Sequence, residues 1–142
     1  MSRPSASATI NTGCSFESIP RKPDLADFPY GEHPKQRLHL WKAKSDRPAP
    51  VIVFMHGGGW TNGDLNKNIW QYAEKPLEKG VNFISLGYRF VDEAPGLVPP
   101  VKAPMHDAAR AIQTIRHHAR DWNIDPNRIA MWGGSAGGCT TL

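Results

Sequence analysis

Short apolar runs and longer stretches with helical spacing follow one another along the chain. Residues 51–55 are all apolar, which is typical of a strand covered on both faces in a parallel sheet. Residues 81–90 and 129–132 predict two further apolar strands. From Gln36 onwards, apolar residues among charged neighbours predict a half-exposed strand, and these residues are Leu38, Leu40 and Trp41.

Helical spacing occurs twice. Leu65, Ile69 and Ala73 lie four apart and predict a helix over 66–75 that Pro76 kinks or ends. A second set recurs at steps of 3, 4, 3, 4 and 3 and predicts an amphipathic helix, with Met105, Ala108, Ile112, Ile115, Ala119 and Trp122 on its apolar face.

Proline and charged residues mark the ends of this second helix. Pro104 suits its first turn and Asp107 its positive end, while basic residues suit its negative end, namely His117, His118 and Arg120. Residues 125–127 then predict a type I turn. Strands and helices therefore alternate, which predicts an α/β fold with right-handed crossovers and a mostly parallel sheet flanked by helices.

The first 34 residues differ from the rest, since they hold five of the 13 prolines and show neither helical nor strand spacing. We expect a loosely ordered leader over 1–34 and the folded domain over 35–142. The first 20 residues lack the apolar region of a secretory signal. Cys14 and Cys139 form neither a disulfide framework nor a metal site.

Composition excludes several classes of protein. With 39% hydrophobic residues and 13 glycines the chain is an ordinary globular one, and no apolar run approaches the roughly 18 residues that cross a bilayer. The 17 basic residues are scattered, so the net charge of +4 predicts no nucleic-acid partner. We expect neither a metal nor an organic cofactor. A length of 142 by itself favours a single domain.

One glycine cluster surrounds a serine at 133–138, directly after an apolar strand. The pattern Gly133-x-Ser135-x-Gly137 is typical of a nucleophile elbow, a strand-to-helix turn whose tight backbone exposes the serine hydroxyl for nucleophilic attack. The segment 133–137 is hereafter called the elbow. An idle glycine-rich turn would also give this pattern, whereas the spacing matches neither common phosphate-binding loop.

The other cluster is the segment HGGGW at 56–60, which follows the buried strand 51–55. Consecutive glycines leave backbone N–H groups open to approach, as a developing oxyanion requires. The N–H group of Ala136, after Ser135, would complete such a hole. Because both clusters follow strands of one predicted sheet, together they indicate acyl transfer.

These motifs resemble those of the α/β-hydrolase superfamily, most closely its HGGG-bearing esterases and lipases of the hormone-sensitive-lipase-like and feruloyl-esterase-like groups. The resemblance spans about 36–142 and is carried by HGGGWTNGD at 56–64, Tyr88 with Arg89, Asp107 and GGSAGG at 133–138. The sequence departs from the family at Pro76, within a usually continuous helix, and at Gly87, where an acidic residue is frequent.

The resemblance implies a role for each matched position. Ser135 is the nucleophile, and the backbone amides of Gly58, Gly59 and Ala136 form the oxyanion hole. Gly57 shapes the loop, His56 anchors it by hydrogen bonds, and Arg89 and Asp107 belong to the scaffold.

The triad of this superfamily runs serine, then Asp or Glu, then histidine, yet only seven residues follow Ser135. We therefore expect the N-terminal part of a hydrolase, truncated after the nucleophile elbow and inactive alone, with an apolar edge on its last strand that is prone to aggregation. Upstream histidines are not expected to serve as base, since His106, His117 and His118 belong to a predicted helix as exposed residues.

The intact protein is expected to hydrolyse a small carboxylic ester, with a short acyl or carbohydrate-linked group, through an acyl-enzyme on Ser135. Two alternatives remain. One is a noncatalytic binding protein that keeps the loop as a ligand pocket, and the other is an amidase or peptidase of the same superfamily.

Overall fold

A computed structural model describes residues 19–142, which form one five-stranded sheet flanked by helices. The sheet order is β1-β2-β4-β3-β5. The strands are β1 (Leu25–Pro29), β2 (Arg37–Trp41), β3 (Ala49–Met55), β4 (Asn82–Leu86) and β5 (Ile124–Gly133), and the helices are α1 (Trp70–Glu78), α2 (Lys102–His118) and α3 (Ala136–Thr140).

The parallel part of the sheet matches the sequence prediction. Strand β3 pairs in parallel with β4 on one side, from Val51 opposite Asn82 to Met55 opposite Leu86. On its other side β3 pairs in parallel with β5, ending with Met55 opposite Gly133. Helices α1 and α2 supply the crossovers, so the carboxyl ends of all three strands meet at one edge of the sheet.

The remaining strands correct two expectations. Strand β1 lies within the stretch predicted to be a loosely ordered leader, and it pairs antiparallel with β2. Strand β2 pairs antiparallel with β4, and Leu38 and Trp41 are fully buried rather than half-exposed because β2 lies inside the sheet. The described sheet is therefore mixed, with two antiparallel and two parallel pairings. Residues 1–18, with Cys14, lie outside the described part.

Both helix predictions hold, with shifted bounds. Helix α1 begins at Trp70 and continues through Pro76 to Glu78. Pro76 lies near the C-terminal end, where a missing N–H removes one hydrogen bond from the last turn, and Gly80 at φ +75 follows. In α2 Met105 is 43% exposed, off the buried stripe.

The predicted turn at 125–127 is built into strand β5. The pairing jumps from Ala49 opposite Ile124 to Val51 opposite Ile129, and Asn127 N–H bonds to the Asp125 carboxylate at 2.9 Å. The strand thus begins earlier than predicted and carries a bulge. It is an edge of the described sheet, where Trp132 is 46% exposed, as the expected apolar edge requires; aggregation remains a prediction.

A buried ion pair joins the loop after β4 to α2. The Asp107 carboxylate, 1% exposed, accepts hydrogen bonds from the Arg89 backbone N–H at 2.8 Å, from the Arg89 guanidinium at 2.7 Å and from Gln36 Nε2 at 2.7 Å. Asp107 therefore acts through this network rather than through the helix end.

A second buried polar group is His39, which is fully buried in β2. Its Nδ1 accepts the backbone N–H of Asp27 at 3.0 Å, so its proton lies on Nε2, which donates to Asn66 Oδ1 at 2.8 Å. Burial lowers the pKa of His39 because the charged ring would lose its hydration.

Removing the Asp107 carboxylate is expected to destabilise the fold strongly. In Asp107→Ala the Arg89 guanidinium loses its buried partner, which costs about 3–5 kcal/mol for such a pair. Urea denaturation measures this free energy of unfolding. Asp121→Ala, at an exposed aspartate, is the matched control, and equal effects of the two substitutions would contradict the assigned role.

The free energy of unfolding is also expected to decrease as the pH is lowered, because His39 is buried in its neutral form. Since its folded pKa lies below the ordinary value of about 6.5, the unfolded chain binds more protons, and the stabilisation present above that pH is lost as pH falls towards the folded pKa. The slope approaches about 1.4 kcal/mol per pH unit from this residue. His39→Gln should reduce the slope in denaturant titrations at a series of pH values, and a slope that this substitution leaves unchanged would refute this origin.

Candidate active site

Ser135 occupies the turn between β5 and α3. Its backbone has φ 52 and ψ −122, a conformation that non-glycine residues rarely adopt, and its side chain is exposed. Within residues 19–142 its hydroxyl makes no hydrogen bond. The turn therefore presents a free serine hydroxyl at the carboxyl edge of the sheet.

Two glycines let this turn approach the end of β3. A Cβ on Gly133 would lie 2.5 Å from the Met55 carbonyl oxygen, and one on Gly137 would lie 2.2 Å from the same oxygen. A Cβ on Gly134 would meet nothing within 4 Å. Backbone packing therefore requires glycine at positions 133 and 137.

The segment HGGGW at 56–60, here called the oxyanion loop, follows β3 directly. Gly58 has φ 125 and Gly59 has φ 61. The carbonyl oxygen of Gly58 accepts the N–H groups of Thr61 and Asn62, both at 3.1 Å, which closes a tight turn. A Cβ on Gly58 would collide with the Asn62 carbonyl group, so this position requires glycine, whereas a Cβ on Gly59 would meet only Thr61 Oγ1 at 3.9 Å.

The oxyanion loop and the elbow lie in contact. A Cβ on Gly57 would lie 2.9 Å from the Gly134 carbonyl oxygen and 3.5 Å from the Ser135 Cβ. In the described part of the chain, no hydrogen bond engages the N–H groups of Gly58, Gly59 and Ala136. Three open donors and an open hydroxyl thus share one edge of the sheet.

His56 is held between neighbours at the start of the oxyanion loop. Its Nδ1 donates to the Gly57 carbonyl oxygen at 2.8 Å, and its ring stacks on Tyr88 at 4.4 Å between centroids. The Tyr88 hydroxyl in turn donates to the His56 carbonyl oxygen at 2.6 Å. Burial lowers the pKa of His56, so the ring is neutral at pH 7. These contacts tie the start of the loop to Tyr88.

The structure explains why glycine occupies position 87, where the family that the sequence resembles often has an acidic residue. A Cβ there would lie 2.7 Å from the Lys35 carbonyl oxygen, because residues before β2 pass close to the end of β4. A cavity of about 310 Å³ lies beside Gly87, and His56, Asp64 and Phe90 also line it. Sequence reasoning did not identify this cavity.

Sequence reasoning also missed the contact between Trp60 and Thr140. The indole Nε1–H of Trp60 donates to Thr140 Oγ1 at 2.9 Å, although the two residues lie 80 positions apart. No local pattern signals such a pair; the only hint is that each follows one of the two glycine clusters.

The described histidines form no catalytic pair with Ser135. His106 and His117 are exposed on α2, as expected. His118, expected to be solvated, instead stacks on Trp122 at 4.9 Å and meets the edge of Phe28 at 5.2 Å. Strand β1, which the sequence did not reveal, brings Phe28 to this ring and explains the difference.

The described residues offer neither a metal site nor a membrane-spanning helix. Among residues 19–142, no group of three or more histidine, cysteine or acidic side chains could hold a metal ion. No helix in this part of the chain is long and apolar enough to span a membrane.

Comparison with known proteins identifies relatives of this architecture. The carboxylic ester hydrolase LipN of Mycobacterium tuberculosis is 32% identical over 111 residues, which are 78% of this chain and 27% of LipN. A thermophilic esterase from Thermogutta terrifontis, solved with propionate bound, aligns with a TM-score of 0.65 and 30% identity over 74% of this chain and 38% of that one.

A third relative is the acetyl ester-xyloside bifunctional hydrolase from Caldicellulosiruptor lactoaceticus. It aligns with a TM-score of 0.61 and 32% identity, over 74% of this chain and 36% of that one. The chain spans about a quarter of the length of the curated relatives it matches. The BD-FAE family model matches residues 38–142, well over half of the chain. The chain thus belongs to the BD-FAE family of the α/β-hydrolase superfamily, a group related to the carboxylesterases.

Proposed function

We propose that this protein hydrolyses carboxylic esters through an acyl-enzyme formed on Ser135. The observation that carries the proposal is the position of Ser135, strained at φ 52 and exposed, beside an oxyanion loop whose backbone N–H groups are open. Such a pairing of nucleophile and donors is what acyl transfer needs. The ester hydrolases among the relatives support the same reaction class.

In the first step, Ser135 Oγ bonds to the ester carbonyl carbon while its proton passes to a base. The tetrahedral oxyanion collapses, the C–O bond breaks, and the alcohol leaves with that proton. Water then attacks the acyl-enzyme, releasing the acid and restoring the Ser135 hydroxyl.

The oxyanion is stabilised by the N–H groups of Gly58, Gly59 and Ala136. Each donor of this kind contributes roughly 10²–10³ in rate when it is held at hydrogen-bond distance from the oxyanion. His56 sets the loop, because its Nδ1–H holds the Gly57 carbonyl oxygen and the Gly58 N–H of the same trans peptide points the opposite way.

The base of this proposal is a histidine outside the described residues, oriented by an Asp or Glu. Within residues 19–142 no imidazole bonds to Ser135. Without a base the serine hydroxyl is a weak nucleophile at pH 7.

A short-acyl ester is the substrate class we propose, with a carbohydrate alcohol as one form of it. The relatives point that way, since one was solved with propionate and another is an acetyl ester-xyloside hydrolase. No observation in the described part favours amide over ester substrates.

Ser135→Ala in the whole protein is expected to abolish turnover of p-nitrophenyl acetate and labelling by a fluorophosphonate, because both reactions need the nucleophile. The 142-residue chain alone should hydrolyse the ester no faster than its own Ser135→Ala variant. Labelling of the whole protein that survives the substitution would indicate a different nucleophile, whereas an unsubstituted protein that is neither labelled nor active would favour a binding protein.

Two glycine-to-alanine substitutions in the elbow should distinguish a steric collision with β3 from the loss of glycine's backbone flexibility. In Gly137→Ala the Cβ would lie 2.2 Å from the Met55 carbonyl oxygen, so the turn must move, and we expect a loss of about 1–3 kcal/mol in stability with at least tenfold slower turnover. Gly134→Ala meets nothing and should retain stability and rate. Urea denaturation and steady-state kinetics on both variants of the whole protein provide the test, and equal stability and equal rates for the two variants would contradict the prediction.

A further inference from the structure

A chain of two hydrogen bonds joins the oxyanion loop to the helix after Ser135. Trp60 Nε1–H donates to Thr140 Oγ1 at 2.9 Å, and Thr140 Oγ1 lies 2.9 Å from the Ala136 carbonyl oxygen. Because an indole only donates and a carbonyl only accepts, the single hydroxyl hydrogen of Thr140 must point to Ala136. Within residues 19–142, no other side-chain hydrogen bond connects the loop with the segment from Gly133 onwards.

Trp60 is itself held firmly. Its φ is +58, in the left-handed region, and its carbonyl oxygen accepts the N–H of Val91 at 2.9 Å, in the loop after β4. Its ring packs against the larger hydrophobic core. The indole N–H therefore projects from a fixed backbone next to Gly59, and a movement of α3 relative to the loop would break its bond to Thr140.

We propose that Trp60 and Thr140 are positioning residues that set the spacing between the oxyanion donors of Gly58 and Gly59 and that of Ala136. The inference rests on the proposed esterase function. Donors on two separate segments must converge on one oxygen, and each acts only at about 2.7–3.1 Å from it. Backbone contact at Gly57 limits how closely the segments approach, and the Trp60–Thr140 bond limits how far they separate.

The test uses the whole protein with a short-acyl p-nitrophenyl ester. Trp60→Phe removes the N–H donor and keeps an aromatic ring, while Thr140→Val removes the acceptor and keeps the shape. We expect kcat to fall about tenfold in each variant with KM changed less than twofold, because the donors serve the transition state more than the substrate. The double variant should be little worse than either single one, and Thr140→Ser, which keeps the accepting hydroxyl, should retain kcat.

A trifluoromethyl ketone separates positioning from mere loss of structure. Its hemiketal oxyanion engages the same donors, so its affinity should weaken by the factor by which kcat falls. Fluorophosphonate titration of active sites corrects kcat for unfolded protein. A lowered kcat that returns to normal after this correction, or unchanged affinity for the ketone, would overturn the proposal.

Two control variants lie outside this contact. Thr141→Val removes the neighbouring hydroxyl, which bonds to the Gly138 carbonyl oxygen at 2.8 Å, and Trp70→Phe removes an indole N–H at the start of α1. Both should retain kcat. If Ser135→Ala keeps full activity, the esterase proposal itself fails; if Ser135→Ala is inactive while Trp60→Phe is unchanged, only the positioning role fails.

Discussion

The closeness of three backbone segments at the end of β3 is the constraint on which the candidate site depends. A Cβ on Gly133 would lie 2.5 Å from the Met55 carbonyl oxygen, and a Cβ on Gly137 would lie 2.2 Å from the same oxygen, so neither position has room for a side chain. The elbow therefore packs backbone to backbone against the strand from which the oxyanion loop departs. Because main-chain atoms have little freedom to repack, the position of Ser135 relative to the loop follows from the pairing of β3 with β5.

The other side of the oxyanion loop depends on the ion pair between Arg89 and Asp107. Asp107 binds both the backbone N–H and the guanidinium of Arg89, which secures the chain leaving β4 against α2. Tyr88, one residue earlier, stacks on His56 and donates to its carbonyl oxygen. The ion pair thus fixes the position of Tyr88, and the hydrogen bond from Tyr88 to His56 fixes the start of the oxyanion loop. Residues far from Ser135 therefore help to position the site.

The parts of the fold that could be predicted from sequence are those with local signals. Continuous apolar residues at 51–55 and the glycines around Ser135 report their own environment, since burial on both faces and a tight turn each require particular residue types. Strand β1 carries no such signal, because its five residues become a strand only through pairing with β2.

The same reasoning explains the misplaced details. Leu38 and Leu40 were predicted to be half-exposed because the sequence did not reveal β1, which covers the outer side of β2. Pro76 was predicted to end or kink the helix, but α1 begins only at Trp70 and extends to Glu78, so the proline falls in its last turn. Within the site, the two glycine-rich turns after β3 and β5 could be predicted because glycine marks a tight turn, whereas the Trp60–Thr140 bond joins residues 80 apart and exists only in the folded chain.

Backbone strain identifies this edge of the sheet independently of any motif. Of the five non-glycine residues with positive φ in the described part, three are Asp27, Asn68 and Asn123, residue types that tolerate this region. The other two are Trp60 and Ser135, and each costs about 1–3 kcal/mol. Trp60 ends the oxyanion loop and Ser135 lies in the elbow, so both strained residues belong to the two segments of the candidate site. Such strain persists only where the surroundings determine the conformation, and here the buried backbone of β3, the Asp107 network and the Trp60–Thr140 bond do so. In the proposed reaction this rigidity is useful, because donors already in place need not reorganise as the oxyanion forms.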